Sequence, residues 1–116
     1  MTHYALTITF PVHWGEMDTL GHVNHTRFLV WMETARIQLF DELGLDWRDP
    51  STPGPILANV NVDYLAPVHY PATLQCGLKV SRIGTTSFVI DYGLWAKEAP
   101  GTSVCQAQSV VVLYDY

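Results

Sequence analysis

The stretch TRFLVWMETARIQLFDEL, Thr26 to Leu43, decides the architecture. Phe28, Met32, Ala35, Leu39 and Leu43 recur at spacings of four, three, four and four, the stripe of one helical face. Leu29, Val30, Trp31, Ile37 and Phe40 widen that stripe over most of the circumference. A helix that is apolar nearly all round is one that its own protein surrounds. Asn24 and Thr26 are candidate N-caps and Gly44 suits the position just past the C-terminus. At ~1.5 Å per residue such a helix is about 27 Å long, the width of a small domain.

The segments on either side alternate with period two. Upstream, between His3 and Val12, Tyr4, Leu6, Ile8, Phe10 and Val12 share one face and Ala5, Thr7 and Thr9 the other, a half-buried strand. Downstream, a connection punctuated by Pro50, Pro53, Gly54 and Pro55 leads to further strands. Val60, Val62 and Tyr64 alternate with Asn59, Asn61 and Asp63. Leu74, Cys76, Leu78 and Val80 alternate with Thr73, Gln75, Gly77 and Lys79. Phe88, Ile90, Tyr92 and Leu94 alternate with Ser87, Asp91 and Gly93. The last strand, Val104 to Tyr114, contains Val110-Val111-Val112-Leu113, a run that suggests burial on both faces. Ile83-Gly84-Thr85 and Glu98-Ala99-Pro100-Gly101 are short enough for hairpin turns. Strand, long helix, then a run of antiparallel strands is α+β, and one sheet must curl around one greasy helix.

The chain has 116 residues, which predicts a single domain over 1–116. With 48% apolar and 15% charged residues it has the means for a core and lacks the charge of a disordered tail. Six Lys plus Arg against 11 Asp plus Glu give a net charge of −5, which argues against bulk attraction to nucleic acid or anionic lipid. Cys76 and Cys105 make neither a disulfide framework nor a zinc motif, and read as small core residues. No apolar run approaches the ~20 residues of a membrane helix. The opening Met-Thr-His-Tyr lacks a basic and apolar leader, so the expected location is cytoplasmic.

Chemistry-bearing residues crowd between the first strand and the helix: His13-Trp14-Gly15-Glu16-Met17-Asp18-Thr19-Leu20-Gly21-His22-Val23-Asn24-His25. This stretch delivers two carboxylates, three His and an Asn to a helix N-terminus, where free N–H groups favour developing negative charge. A carboxylate there can serve as general base or nucleophile toward a bound carbonyl. The plainer alternative is a tight loop in which Asn24 caps, Gly21 turns and the His residues are solvated. Glu16, on the opposite side of Met17 from Asp18, reads as loop or surface. His22, His25, His69 and Asp18 make a poor metal set, because the His pair precedes the helix instead of lying on it, and no metal is expected. Glu33 and Arg36, three apart on the helix, suit an intrahelical or cross-subunit pair. Trp14 suits packing beside a strand end or a cover for an acyl pocket.

Asp18-Thr19-Leu20-Gly21-His22-Val23-Asn24-His25, followed by Glu33-Thr34-Ala35-Arg36, resembles the hotdog-fold acyl-CoA thioesterases of the 4-hydroxybenzoyl-CoA thioesterase type, with their D-x-x-G-H-V-N-N and E-x-A-R elements. Val62-Asp63-Tyr64-Leu65-Ala66-Pro67-Val68 resembles the strand after their helix, and Ser81-Arg82-Ile83-Gly84-Thr85-Thr86-Ser87-Phe88 their Gly-Ser turn. The resemblance implies a curled sheet around a central helix and hydrolysis of an acyl-CoA or acyl-carrier-protein thioester. It assigns Asp18 as base or nucleophile and His25, through its backbone N–H, as the group that polarises the thioester carbonyl. His22 is expected to fix the loop through a hydrogen bond. Gly21, His22, Asn24, Trp14, Pro55, Ile56, Arg82, Thr85 and Thr86 are the expected substrate contacts. No cofactor is implied beyond the coenzyme A that is part of the substrate. No G-x-S-x-G elbow points to an α/β-hydrolase instead.

In the family the chain usually continues past the last strand with cations for coenzyme A. Here the sequence stops at Asp115-Tyr116, and Thr85 and Thr86 stand where some relatives are basic, which leaves Lys79, Arg82 and Lys97 for that task. Sparse cations motivate a rival reading, a non-catalytic acyl-CoA-binding or regulatory hotdog domain. A hydratase on the same fold lacks its His/Asp motif here. The expected assembly is a homodimer or a homotetramer made of two dimers. Two sheet edges need partners, and the outward face shows either Val89 and Trp95 or Val111 and Leu113. The resemblance implies that each site joins the Asp18 loop of one chain to residues Pro55–Val60 of the other.

Overall fold

In the computed structural model the described residues are 4–45, 48, 49, 51 and 54–114. His3, Pro50, Pro53 and Asp115-Tyr116, named above, lie outside them. Strand β1 (Leu6–Pro11) is followed by a 3₁₀ turn at Trp14–Glu16 and by helix α1 (His25–Glu42). Then come β2 (Gly54–Tyr64), β3 (Thr73–Ile83), β4 (Ser87–Ala96) and β5 (Ser103–Tyr114). The five strands form one antiparallel sheet in the order β1-β3-β4-β5-β2, so β1 and β2 are its edges.

The expected alternation sets the inner face. Leu6, Ile8 and Phe10 of β1 stand opposite Leu78, Cys76 and Leu74 of β3. With Ile90, Tyr92 and Leu94 of β4 and Cys105 and Val111 of β5, they meet Phe28, Trp31, Met32, Ala35, Leu39 and Phe40 of α1 in one core. Val111 therefore points inward and is fully buried, and the alternation leaves Val89 and Trp95 on the outer face. Both thiols are free and buried in that core. Burial, reinforced for Cys76 by Cys105 and for Cys105 by Asp63, pushes each up to about 12.

Asn24 is the N-cap: its Oδ1 accepts the Thr26 N–H at 2.9 Å and the Thr26 hydroxyl at 2.8 Å. At the other end Gly44 takes φ 75°. The Gly44 N–H reaches Asp41 O at 3.1 Å and the Leu45 N–H reaches Phe40 O at 2.9 Å, the Schellman closure that glycine permits.

Three expectations need correcting. Tyr4 does not continue the inner face of β1. Its ring lies on the outer face, over Gly77 and Gly93, where a Cβ on either glycine would collide with it, and it stacks on Trp95 at 5.6 Å. The chain does not surround its helix, since Leu29 is 39% and Val30 42% exposed. Within the chain Arg36 makes no intrahelical pair with Glu33. It is 8% exposed and donates from Nη1 to the Tyr92 hydroxyl at 3.1 Å, which lies 2.6 Å from Ser109 Oγ. Ion pairs form instead between Arg27 and Glu16 and between Arg48 and Asp41.

Candidate active site

The Asp18 loop is built as a small hairpin. Met17 and Val23 form an antiparallel bridge. Within it the Asp18 N–H donates to His22 O at 2.8 Å and the Gly21 N–H to Asp18 O at 3.1 Å. Gly21 has φ 78°, a left-handed conformation that costs glycine nothing. The Asp18 carboxylate folds back on its own turn, Oδ1 accepting the Leu20 N–H at 2.9 Å, and Oδ2 has no donor among the described residues.

Two outside contacts hold this hairpin. The Val23 N–H donates to Val68 O at 2.8 Å. His69 Nδ1 lies 3.0 Å from Gly21 O. A carbonyl oxygen only accepts, so that contact requires the proton on Nδ1. The imidazole that bonds into the turn is thus His69, and His22 instead meets the His69 ring edge-on at 4.8 Å.

Glu16 is also not a surface residue. It is buried, its Oε1 accepts the His13 N–H at 2.6 Å, and its Oε2 pairs with Arg27 Nε at 2.9 Å. Its backbone oxygen accepts the Asn24 N–H at 2.9 Å. One residue thereby ties the end of β1 to the start of α1, with the Asp18 loop between them.

Asp18, His22, Val23, His25, Phe28 and Tyr64, with residues 65–68, line a cleft of about 300 Å³. His25 is the first residue of α1, and its N–H finds no acceptor among the described residues. The positive end of the helix dipole thus opens into a cleft that also holds a carboxylate. Tyr64, the last residue of β2, closes one side. Its hydroxyl donates to His25 O at 3.1 Å, and its ring stands edge-on to His25 at 5.8 Å and to Phe28 at 5.6 Å. Partial burial, and the negative charge that Cys105 would carry, hold the Tyr64 phenol above its ordinary 10.0.

Among the expected contacts, Asp18, His22 and His25 line the cleft, Gly21 shapes its loop and the Asn24 side chain is occupied as the cap. Trp14 is 71% exposed and does not line it. Pro55 and Ile56 begin β2, about 30 Å along the strand from Tyr64. Thr86 O accepts the Leu113 N–H at 2.8 Å and Leu113 pairs with Pro55, so Arg82, Thr85 and Thr86 share that far end. Lys79 stands on the outer face opposite Asp91, and Lys97 follows β4 at the Thr73 end of β3. Among the described residues no group of three or more His, Cys, Asp or Glu is arranged to hold a metal ion, and no helix is long and apolar enough to cross a membrane.

Tyr64, Phe28 and His69 were missed as parts of the site. The signal for Tyr64 was available in the Val62–Val68 stretch, read only as a strand and its exit.

Known proteins share both the sequence and this frame. YneP of Bacillus subtilis (strain 168), provisionally named an acyl-CoA thioesterase, is 36% identical over 64 residues, 53% of this chain and 46% of YneP. The match thus spans about half the length of that relative. PA2801 of Pseudomonas aeruginosa, provisionally named a thioesterase, superposes with a TM-score of 0.89 at 33% identity, over 98% of this chain and 87% of its own. A thioesterase of Thermus thermophilus solved with coenzyme A and Zn superposes with a TM-score of 0.83 at 28% identity, over 96% of this chain and 85% of its own. The curled antiparallel sheet around one long helix is the hotdog fold of these proteins. Residues 12–116, which include the hairpin, the cleft and the whole helix, match the model of the thioesterase-like superfamily, and the chain belongs to that superfamily.

Proposed function

We propose that the protein hydrolyses acyl-CoA thioesters to the free acid and coenzyme A thiol, with the cleft at the start of α1 as the reaction site. The observation that carries this reading is that Asp18 and His25, whose N–H has no acceptor among the described residues, line one cleft. The thioester oxygen accepts from the His25 N–H, where the helix end favours the negative charge of the tetrahedral intermediate. Asp18 either takes a proton from water as it attacks the carbonyl carbon, or attacks first and forms an anhydride that water opens. Both routes break the C–S bond, and the thiolate leaves without needing a strong acid. The chemistry asks for no cofactor beyond the coenzyme A of the substrate, and an acyl-carrier-protein thioester presents the same reacting bond. Kinship with proteins named as acyl-CoA thioesterases supports the reading.

The working unit in this reading is a homodimer built on β2, or a pair of such dimers. β1 is a short edge that ends in Pro11, a blunted template. β2 offers an eleven-residue edge with Ile56, Leu57 and Val60 exposed, and the helix adds Leu29 and Val30. Antiparallel pairing of two β2 strands about a two-fold axis brings the Pro55 end of one chain beside the Tyr64 end of the other. Arg82, Thr85 and Thr86 of one chain then serve the cleft of its partner, with Arg82 the cation for coenzyme A.

The test is thiol release from a panel of short, medium, long and aromatic acyl-CoAs, with light scattering at assay concentration. Turnover by a dimer or larger assembly supports the proposal. Binding without turnover gives the non-catalytic acyl-CoA-binding reading. An active monomer refutes the shared site.

A further inference from the structure

Among the described residues, Tyr64 is the one cleft side chain that touches His25 in two ways. Its hydroxyl donates to the His25 carbonyl oxygen at 3.1 Å, and its ring stands edge-on to the imidazole at 5.8 Å. From these contacts we infer that Tyr64 is a positioning residue, which holds the His25 carbonyl from the end of β2 and, through the φ and ψ of His25, aims the N–H that donates to the thioester oxygen. The inference rests on the hydrolase reading above.

The physical need for such a residue follows from the helix start. The first turn of α1 has no preceding turn to hold it, and Asn24 satisfies the N–H of Thr26 but leaves that of His25 free. A free N–H acts as an oxyanion donor only if it is aimed before the charge develops. A peptide plane is rigid, but the orientation of the His25 N–H depends on the dihedral angles between Asn24 and the first helical carbonyl. The Tyr64 hydroxyl grips that carbonyl from outside the helix. The phenol in turn is seated by the Phe28 ring at 5.6 Å and by the β2–β5 ladder, in which Tyr64 pairs with Cys105.

The position of Tyr64 has a second consequence. It is the last residue of the exposed edge strand. In the β2-paired dimer proposed above, a second copy would lie against the strand that holds the hydroxyl.

The experiment compares wild type, Tyr64→Phe and Tyr64→Leu by steady-state kinetics on an acyl-CoA the wild type hydrolyses. Melting temperatures and the histidine ring resonances are recorded in parallel. Tyr64→Phe keeps the ring and loses only the hydroxyl. Its kcat is expected to fall about 10-fold, less than the loss of a whole oxyanion donor, with KM within about twofold. The His25 ring signals should shift while those of His13 stay in place. Tyr64→Leu, which also removes a cleft wall, should raise KM in addition. A Tyr64→Phe enzyme with wild-type kcat, or one in which KM alone changes, overturns the inference. So does a drop in kcat with unchanged His25 signals. If the wild type hydrolyses nothing, the hydrolase reading has failed, and the His25 resonances in Tyr64→Phe still report whether the hydroxyl positions that residue.

Discussion

Glu16 separates structure from chemistry, because it is a carboxylate two residues from Asp18 and is buried. Glu16→Ala removes the acceptor of the His13 N–H, a charge-assisted bond of 2.6 Å, and the pair with Arg27. The first is worth about 1.5–3 kcal/mol. The second is worth about 0.2–1 kcal/mol, because the Arg27 side chain is 40% exposed and screened by water. Together they predict a loss of about 2–4 kcal/mol, which in a domain of this size is a fall in Tm of roughly 8–15 °C. Glu16→Gln keeps an oxygen for His13 and loses the charge, so it should cost about 1 kcal/mol. Urea titration measures the stabilities, and thiol release from an acyl-CoA measures the activities. The Gln variant should keep kcat within about threefold of wild type, since Glu16 shapes the loop and does not line the cleft. The Ala variant should lose activity as the hairpin loosens. A Gln variant as crippled as one lacking the Asp18 carboxylate would make Glu16 part of the chemistry. An Ala variant as stable as wild type would show that these bonds hold nothing.

Tyr92→Phe strands Arg36 Nη1 and Ser109 Oγ in the core, and urea unfolding should show a loss of roughly 2–4 kcal/mol at constant m. An unchanged midpoint would mean that the network contributes nothing. Cys76 and Cys105 should resist a disulfide thiol reagent at pH 8 in the folded protein and both react once guanidinium unfolds it. Their folded values lie above the ordinary 9.0, so the folded state holds the protons more tightly. Stability from these thiols is present below pH 9 and is lost as pH rises from 9.0 toward about 12. Reaction of either thiol in the folded state at pH 8 contradicts that burial.

Period and spacing made the core legible. Leu74, Cys76 and Leu78 each fall where alternation puts them, and the helical stripe from Phe28 to Phe40 meets them. Alternation does not reveal where a chain leaves its ladder, so it puts Tyr4 on the wrong face. Its true seat depends on Gly77 and Gly93 being neighbours across β3 and β4, a fact of register. The motif around Asp18 located the cleft, because local turn chemistry is written in adjacent residues. The partners of that turn are not local: His69 reaches Gly21 from 48 residues away and Tyr64 reaches His25 from 39. Proximity in sequence therefore points to His22, whereas the fold brings His69 to the turn. Glu16 was misread for the same reason, since Arg27 comes beside it only when α1 packs against the end of β1. The stripe of Leu29 and Val30 was legible as apolar but not as uncovered, because what one chain can cover depends on how far its sheet curls.

Asp18→Asn tests the central claim most directly. The amide keeps the shape of the side chain and an oxygen for the Leu20 N–H, and removes the base or nucleophile. With wild type and variant matched by circular dichroism and light scattering, kcat for the best acyl-CoA should fall by about 10²-fold or more. A folded Asp18→Asn protein of unchanged assembly that turns over at near the wild-type rate would contradict the account.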